Sequence, residues 1–127
     1  MEKVQALRAC DQMMNNLDPE IIEPYLADNV QYSSQTVLAE MKSKQEYMAY
    51  LRQKLPVIKA SGQRVYAEMG TVKRGMPNEP CVVLAQGSQS NRIATLLIET
   101  RGDKISRITM CVIPHPNDCL HSGEYPN

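Results

Sequence analysis

The chain has 127 residues, 43% of them hydrophobic, and a formal net charge of zero. That is one domain with enough apolar mass for a packed core. No basic run is present to bind nucleic acid, and no apolar run approaches the roughly 20 residues that span a bilayer.

The N-terminus, Met1-Glu2-Lys3-Val4-Gln5, lacks a signal-peptide core, so a cytoplasmic location is expected. The four Cys are then expected as reduced thiols. There is no Phe and no Trp, so core volume comes from Leu, Ile, Val and the eight Met. Thioether chains repack cheaply and suit either a core or an adaptable pocket wall.

From Lys3 to Asn16 the spacing predicts a helix. Val4, Leu7, Cys10, Met14 and Leu17 form its apolar stripe, and Lys3, Arg8, Asp11 and Gln12 lie away from it. Asn15 and Asn16 end it. Asp18-Pro19 restarts a short helix, with Asp18 as N-cap and Pro19 at the first helical position. Pro24 limits its length. Leu26-Ala27-Asp28-Asn29 then leads into a strand at Val30 to Ser34, with Thr36 to Leu38 as its continuation.

Ser43 is a good N-cap for the next helix, and Glu46 completes a capping box. Tyr47, Met48, Leu51, Leu55 and Ile58 share one face, while Lys44, Glu46, Arg52, Gln53 and Lys54 take the wet side. Pro56 disfavours helical geometry at Leu55, so the regular helix should end near Leu55. Beyond it the period switches to that of strands. Gln63–Val72, Cys81–Gln89, Arg92–Thr100 and Lys104–Ile113 read as four strands joined by hairpin turns. The Arg101-Gly102-Asp103 tripeptide is one of those turns. Residues 1–113 form the domain, and 114–127 read as an extended tail pinned by Leu120.

Helices followed by strands give an α+β layout, two to three N-terminal helices packed in a curved, mainly antiparallel sheet. With Leu26-Ala27-Asp28-Asn29-Val30 before the first strand, the capped helix at Ser43 and four long strands after it, the chain resembles the nuclear-transport-factor-2-like superfamily. That superfamily has a cystatin-like cone fold and includes SnoaL-like polyketide cyclases, ketosteroid isomerase and scytalone dehydratase. The resemblance covers roughly residues 3 to 113 and implies a pocket at the open end of the cone. Its known catalytic sets do not transfer. The position matching the catalytic Asp of ketosteroid isomerase is about Ser34, which is no carboxylate base. The helix from Lys3 to Asn16 holds no Tyr, and both His lie in the tail.

Tyr32, Tyr47 and Tyr50 either line that pocket, each with a flat ring and a hydroxyl tip, or pack with their hydroxyls at the surface. Met14 is a candidate for the pocket wall. Gln35 lies near the expected mouth and can hydrogen-bond a ligand, or is an ordinary surface Gln. Glu68 sits mid-strand. Facing the pocket, it is a candidate catalytic base. Facing out, the favoured reading, it pairs with Arg64 or a nearby Lys. Cys111, His115, Cys119 and His121 carry zinc-ligand chemistry at a spacing that matches no recognised finger. Their bland reading is a buried strand Cys and a His flanked by prolines.

Three functions follow: a binding domain for a small apolar or aromatic ligand, an isomerase, cyclase or lyase working by proton transfer in the pocket, or an interaction module. No cofactor is expected. The strands at Cys81, Arg92 and Lys104 carry apolar residues on both parities, so both sheet faces seek burial. The tail reads as too polar to cover the second face. A homodimer through that face is therefore expected.

Overall fold

The computed structural model describes residues 3–35 and 40–127. The chain runs α1 (Lys3–Asn16), two 3-10 turns (Pro19–Ile21 and Glu23–Tyr25), β1 (Leu26–Ser34), β2 (Glu40–Met41) and α2 (Lys44–Ala60). Then come β3 (Val65–Val72), β4 (Pro80–Gln86), β5 (Arg92–Arg101), β6 (Lys104–Cys111), a 3-10 turn (Pro116–Asp118) and β7 (Cys119–His121). The strands form one sheet in the order β2-β1-β6-β5-β4-β3-β7. The β1–β6 pair is parallel and the other pairs are antiparallel. The fold is thus α+β with a curved, mainly antiparallel sheet. The expected Thr36–Leu38 continuation lies outside the described residues.

Local signals hold where the physics is local. Asp18 accepts a hydrogen bond from the Glu20 amide at 3.1 Å and caps the first 3-10 turn. Ser43 Oγ accepts from the Glu46 amide at 3.1 Å and starts α2. Glu46 does not return the bond to the Ser43 backbone. Its carboxylate meets the Ser43 hydroxyl at 3.4 Å instead.

α2 does not stop near Leu55. It continues through Pro56 to Ala60. A Pro inside a helix costs about 3 kcal/mol. Leu55 is fully buried and Ile58 packs against the core. Full burial of Leu55 is worth about 1.5–3 kcal/mol and the partly buried Ile58 adds less, which together offset the break.

The helices pack on the inner face of the sheet. Leu7, Met13, Tyr47 and Met48 meet Leu84, Leu96 and Ile98 there, in one continuous core. On β4, Cys81 through Ala85 are all buried, so both faces are covered, as the strand parities demand. The outward residues Cys81 and Val83 join Val72 and Cys119 in a second, smaller core.

What covers that outer face corrects the reading of the tail. Thr95, fully buried on β5, donates from Oγ1 to the Pro114 carbonyl at 2.5 Å. Pro116 is buried, and the chain then pairs as β7 with the free edge of β3. Further on, the Met69 amide donates to the Glu124 carbonyl at 2.9 Å, and Asn15 Nδ2 donates to the Pro126 carbonyl at 2.6 Å. The segment is polar in composition, but its polar groups are backbone groups that find partners along the sheet edge. It thereby covers an edge that would otherwise be open. Leu120 does not pin it, being 56% exposed.

The same strap explains two buried carboxylates. Asp11, expected on the wet side of α1, is wholly buried, and neither carboxylate oxygen has a hydrogen-bond partner among the described residues. Burial first, then the nearby Glu124 charge, push its pKa up to about 8, with Arg8 opposing and Glu68 adding. Glu68 is 3% exposed and lies opposite Val83, on the outer face. It accepts from the Gly123 amide at 2.8 Å and sits 3.7 Å from Arg92 Nε. Arg64, its expected partner, lies against the Tyr66 ring instead.

Candidate functional site

At one end of the sheet the inner face opens into a cavity of ≈ 270 Å³. Tyr32 and Ser34 reach it from the end of β1, Met110 from β6, Ala94 from β5 and Leu84 from β4. Met14 closes it from α1, and Tyr50, Lys54 and Ile58 from the second half of α2. A recess of ≈ 30 Å³ continues inward to Tyr47, Leu51 and Leu55. The volume is close to the lower bound of about 300 Å³ seen for small-molecule sites.

The lower half of α2 supplies this wall because the helix survives Pro56. Residues 50, 54 and 58 fall on one flank at i, i+4 spacing. The aromatic wall is a three-ring stack. Tyr32 and Tyr47 lie 4.9 Å apart between centroids at 24°, Tyr32 and Tyr50 at 5.6 Å, and Tyr47 and Tyr50 at 6.4 Å. Burial raises the pKa of Tyr32 above the usual phenol range. The Tyr50 charge and hydrogen bond add to this, and a Ser34 hydrogen bond opposes it. Tyr47, deeper still, is raised well above by burial, then by Cys10 and the other two rings. Both phenols stay protonated at neutral pH and act as neutral hydrogen-bond groups.

Lys54 Nζ donates to Tyr50 Oη at 2.7 Å. Its 5.1 Å distance to the ring centroid follows from that end-on contact at the hydroxyl, so the hydrogen bond is the interaction, not the ring face. Lys54 is the one charged side chain among the described residues lining the cavity.

Of the residues singled out from sequence, Tyr32, Tyr50 and Met14 line the cavity and Tyr47 floors its recess. Gln35 does not line it. Its Oε1 accepts from the Val112 and Ile113 amides at 2.8 and 2.9 Å, and its Nε2 donates to the Ile113 carbonyl at 3.0 Å. It clamps β1 to the end of β6. Glu68 does not reach the cavity either, because strand parity puts it on the opposite face, under the tail. No carboxylate or His is found among the described residues that line the cavity.

The Cys111, His115, Cys119, His121 set does not converge, and no metal-holding group occurs among the described residues. Cys119 Sγ lies 3.8 Å from Cys81 Sγ. His115 Nδ1 accepts from the Asn117 amide at 3.0 Å, and His121 Nε2 lies 2.9 Å from the Pro116 carbonyl. Cys111 Sγ contacts the Thr109 carbonyl. All four cysteines are free, and burial raises the pKa of each. These are inert thiols rather than nucleophiles.

Sequence reasoning placed Lys54 on the wet side of α2, where it is exposed, and missed that it also lines the cavity. The signal was its place four residues after Tyr50. Leu84 and Ala94 were missed because their parity relative to the cavity depends on the β4–β5 register, which shifts between Leu84 and Ala85.

A second, larger groove of ≈ 510 Å³ lies beside the start of α2, lined by Glu23, Asp28, Ser43, Lys44, Gln45, Met48 and Arg52. It is open and polar. Arg52 is already held by Glu20 at 2.9 Å and Glu23 at 3.0 Å. It offers little enclosure for a ligand.

Comparison with solved structures supports the fold. A SnoaL-like protein of unknown function from Burkholderia thailandensis matches 96% of this chain and 98% of its own, at TM-score 0.61 and 14% identity. An NTF2-like protein of unknown function from Cytophaga hutchinsonii matches 90% of this chain and 94% of its own, at 0.58 and 12%. A de novo designed protein with a curved β-sheet matches 87% and 86%, at 0.61 and 18%. No protein-family model matches the chain, and neither does any curated protein. The chain has the NTF2-like, SnoaL-like cone fold. A designed protein shares it equally well, so the fold by itself names no activity.

Proposed function

We propose that this chain is a small-molecule-binding domain whose ligand occupies the cavity at the open end of the cone. The supporting observation is the cavity itself: mostly apolar walls, an aromatic stack, and a few convergent polar groups at Tyr32, Ser34, Tyr50 and Lys54. The four free cysteines are in keeping with a cytoplasmic location. No helix among the described residues is long and apolar enough to cross a membrane. Glu68 lies on the other face of the sheet, out of reach of a ligand in this cavity.

A thermal-shift screen with steroid-like, polyketide-like and aromatic compounds tests the proposal. Binders should raise the melting temperature of the wild type. Ala94→Phe, which fills the cavity, should lose that response, and amide shifts on binding should cluster in β1, β5 and α2. Absence of any binder, or shifts confined to the groove beside Arg52, would refute it.

Self-association is a separate proposal, on a smaller area than strand parity implies. The strap already buries Cys81, Val83 and Thr95. Outside it, Ile113 is 76% exposed and Val112 38%. A two-fold partner seated on the strap would cover them. Light scattering at micromolar concentration decides between that dimer and a monomer of 14.3 kDa.

A further inference from the structure

The cavity carries one uncompensated charge. Lys54 is the one cation among its described lining residues, and no carboxylate of the described residues pairs with it. An ammonium has donors to spare beyond the one given to Tyr50. Tyr50 Oη accepts that bond and also shares a hydrogen bond with Tyr32. The pair therefore places a charged donor beside a phenol hydroxyl at one point of a mostly apolar wall. Met14, Leu84, Ala94 and Met110 form the surface behind it.

We propose that the cavity takes a small aromatic carboxylate, with its head on Lys54 Nζ and Tyr50 Oη and its flat body among Met14, Leu84, Ala94 and Met110. This inference rests on the binding reading above and adds the charge of the ligand to it. Lys54 is exposed, so the carboxylate stays in contact with water and avoids the cost of full burial. The apolar body meets Met14 and Met110, whose thioethers adapt to ring edges. A cation would face repulsion from Lys54 with no carboxylate to receive it. A neutral amide would keep the apolar contacts and lose the charged one. Because the ammonium is solvated, the preference is moderate, roughly fivefold in Kd.

Isothermal titration with matched pairs tests this: benzoate against benzamide, and 2-naphthoate against 2-naphthamide, near neutral pH. In each pair the carboxylate should bind roughly fivefold tighter at low salt, and the gap should shrink as salt rises. Lys54→Met should abolish the preference, and Lys54→Arg should keep it. Lys54 faces solvent, so these variants should retain the wild-type melting temperature. Equal affinity for both members of a pair, or a preference that survives Lys54→Met, overturns the charge inference and leaves the cavity reading standing. Failure of all four probes to bind overturns the aromatic-carboxylate inference alone, and the cavity reading is then decided by the thermal-shift screen.

Discussion

Asp11→Asn should make the protein more stable, and increasingly so as pH rises. Asp11 is wholly buried with both carboxylate oxygens unpartnered among the described residues, and its pKa is pushed up to about 8 from 3.8, chiefly by burial. Below the lower value both folded and unfolded chains hold the proton, and stability is insensitive to this group. Between the two values the unfolded chain releases the proton and the folded chain keeps it. The folded state then binds more protons, so stability falls as pH rises, and it levels off above the folded value. Each pH unit in that window is worth about 1.4 kcal/mol. From about pH 5 to about pH 8 the ceiling is roughly 4 kcal/mol, and relaxation of the strap around Glu124 should leave roughly 2–4. Asn keeps the shape and the buried polar group but cannot ionise, so its difference from wild type isolates this effect. Urea unfolding of both proteins across that range reads it directly. The stability gap should widen with pH. A gap that stays constant would refute the reasoning, because it would place Asp11 in contact with water or with an unrecognised partner.

The other predictions concern places where one residue supports the frame of the site. Gln35→Ala removes three hydrogen bonds to residues 112 and 113 and should cost about 1–3 kcal/mol of unfolding free energy. Ligand affinity should stay unchanged; a loss of affinity at constant stability would restore Gln35 to the site. Gly70→Ala puts a Cβ 3.0 Å from both the Leu120 carbonyl and Val83 Cγ2. It should cost about 1–3 kcal/mol and speed hydrogen exchange in β7 before the rest of the sheet, and uniform exchange would argue against that local effect. Ser43→Ala removes the α2 cap and should cost about 1 kcal/mol, with Ser43→Thr keeping most of it; equal stability of Ala and Thr variants would show that the cap contributes nothing.

What the sequence by itself determined is what short-range physics controls. The stripe of Leu7 and Cys10, the caps at Asp18 and Ser43, and the Val- and Ile-rich strands define helix, strand and turn within a few residues of each feature. Their order then limits the fold to helices against a curved antiparallel sheet. Four of the five expected pocket residues, Tyr32, Tyr47, Tyr50 and Met14, were legible as large side chains with apolar bodies on the elements that surround the inner face. What only the tertiary structure decided depends on partners far away in the chain. α2 passes Pro56 because Leu55 and Ile58 have a sheet to pack on. Asp11 and Glu68 lose their solvent because residues 114–127 fold back across the outer face and along β3. Composition shows how polar that segment is, but not that its backbone groups will be satisfied by an open strand edge. Lys54 becomes a cavity residue only when the end of β1 and the end of β6 are brought opposite it. A side chain's solvent, and hence its charge state and its use, is set by which distant surface covers it, and no local pattern encodes that.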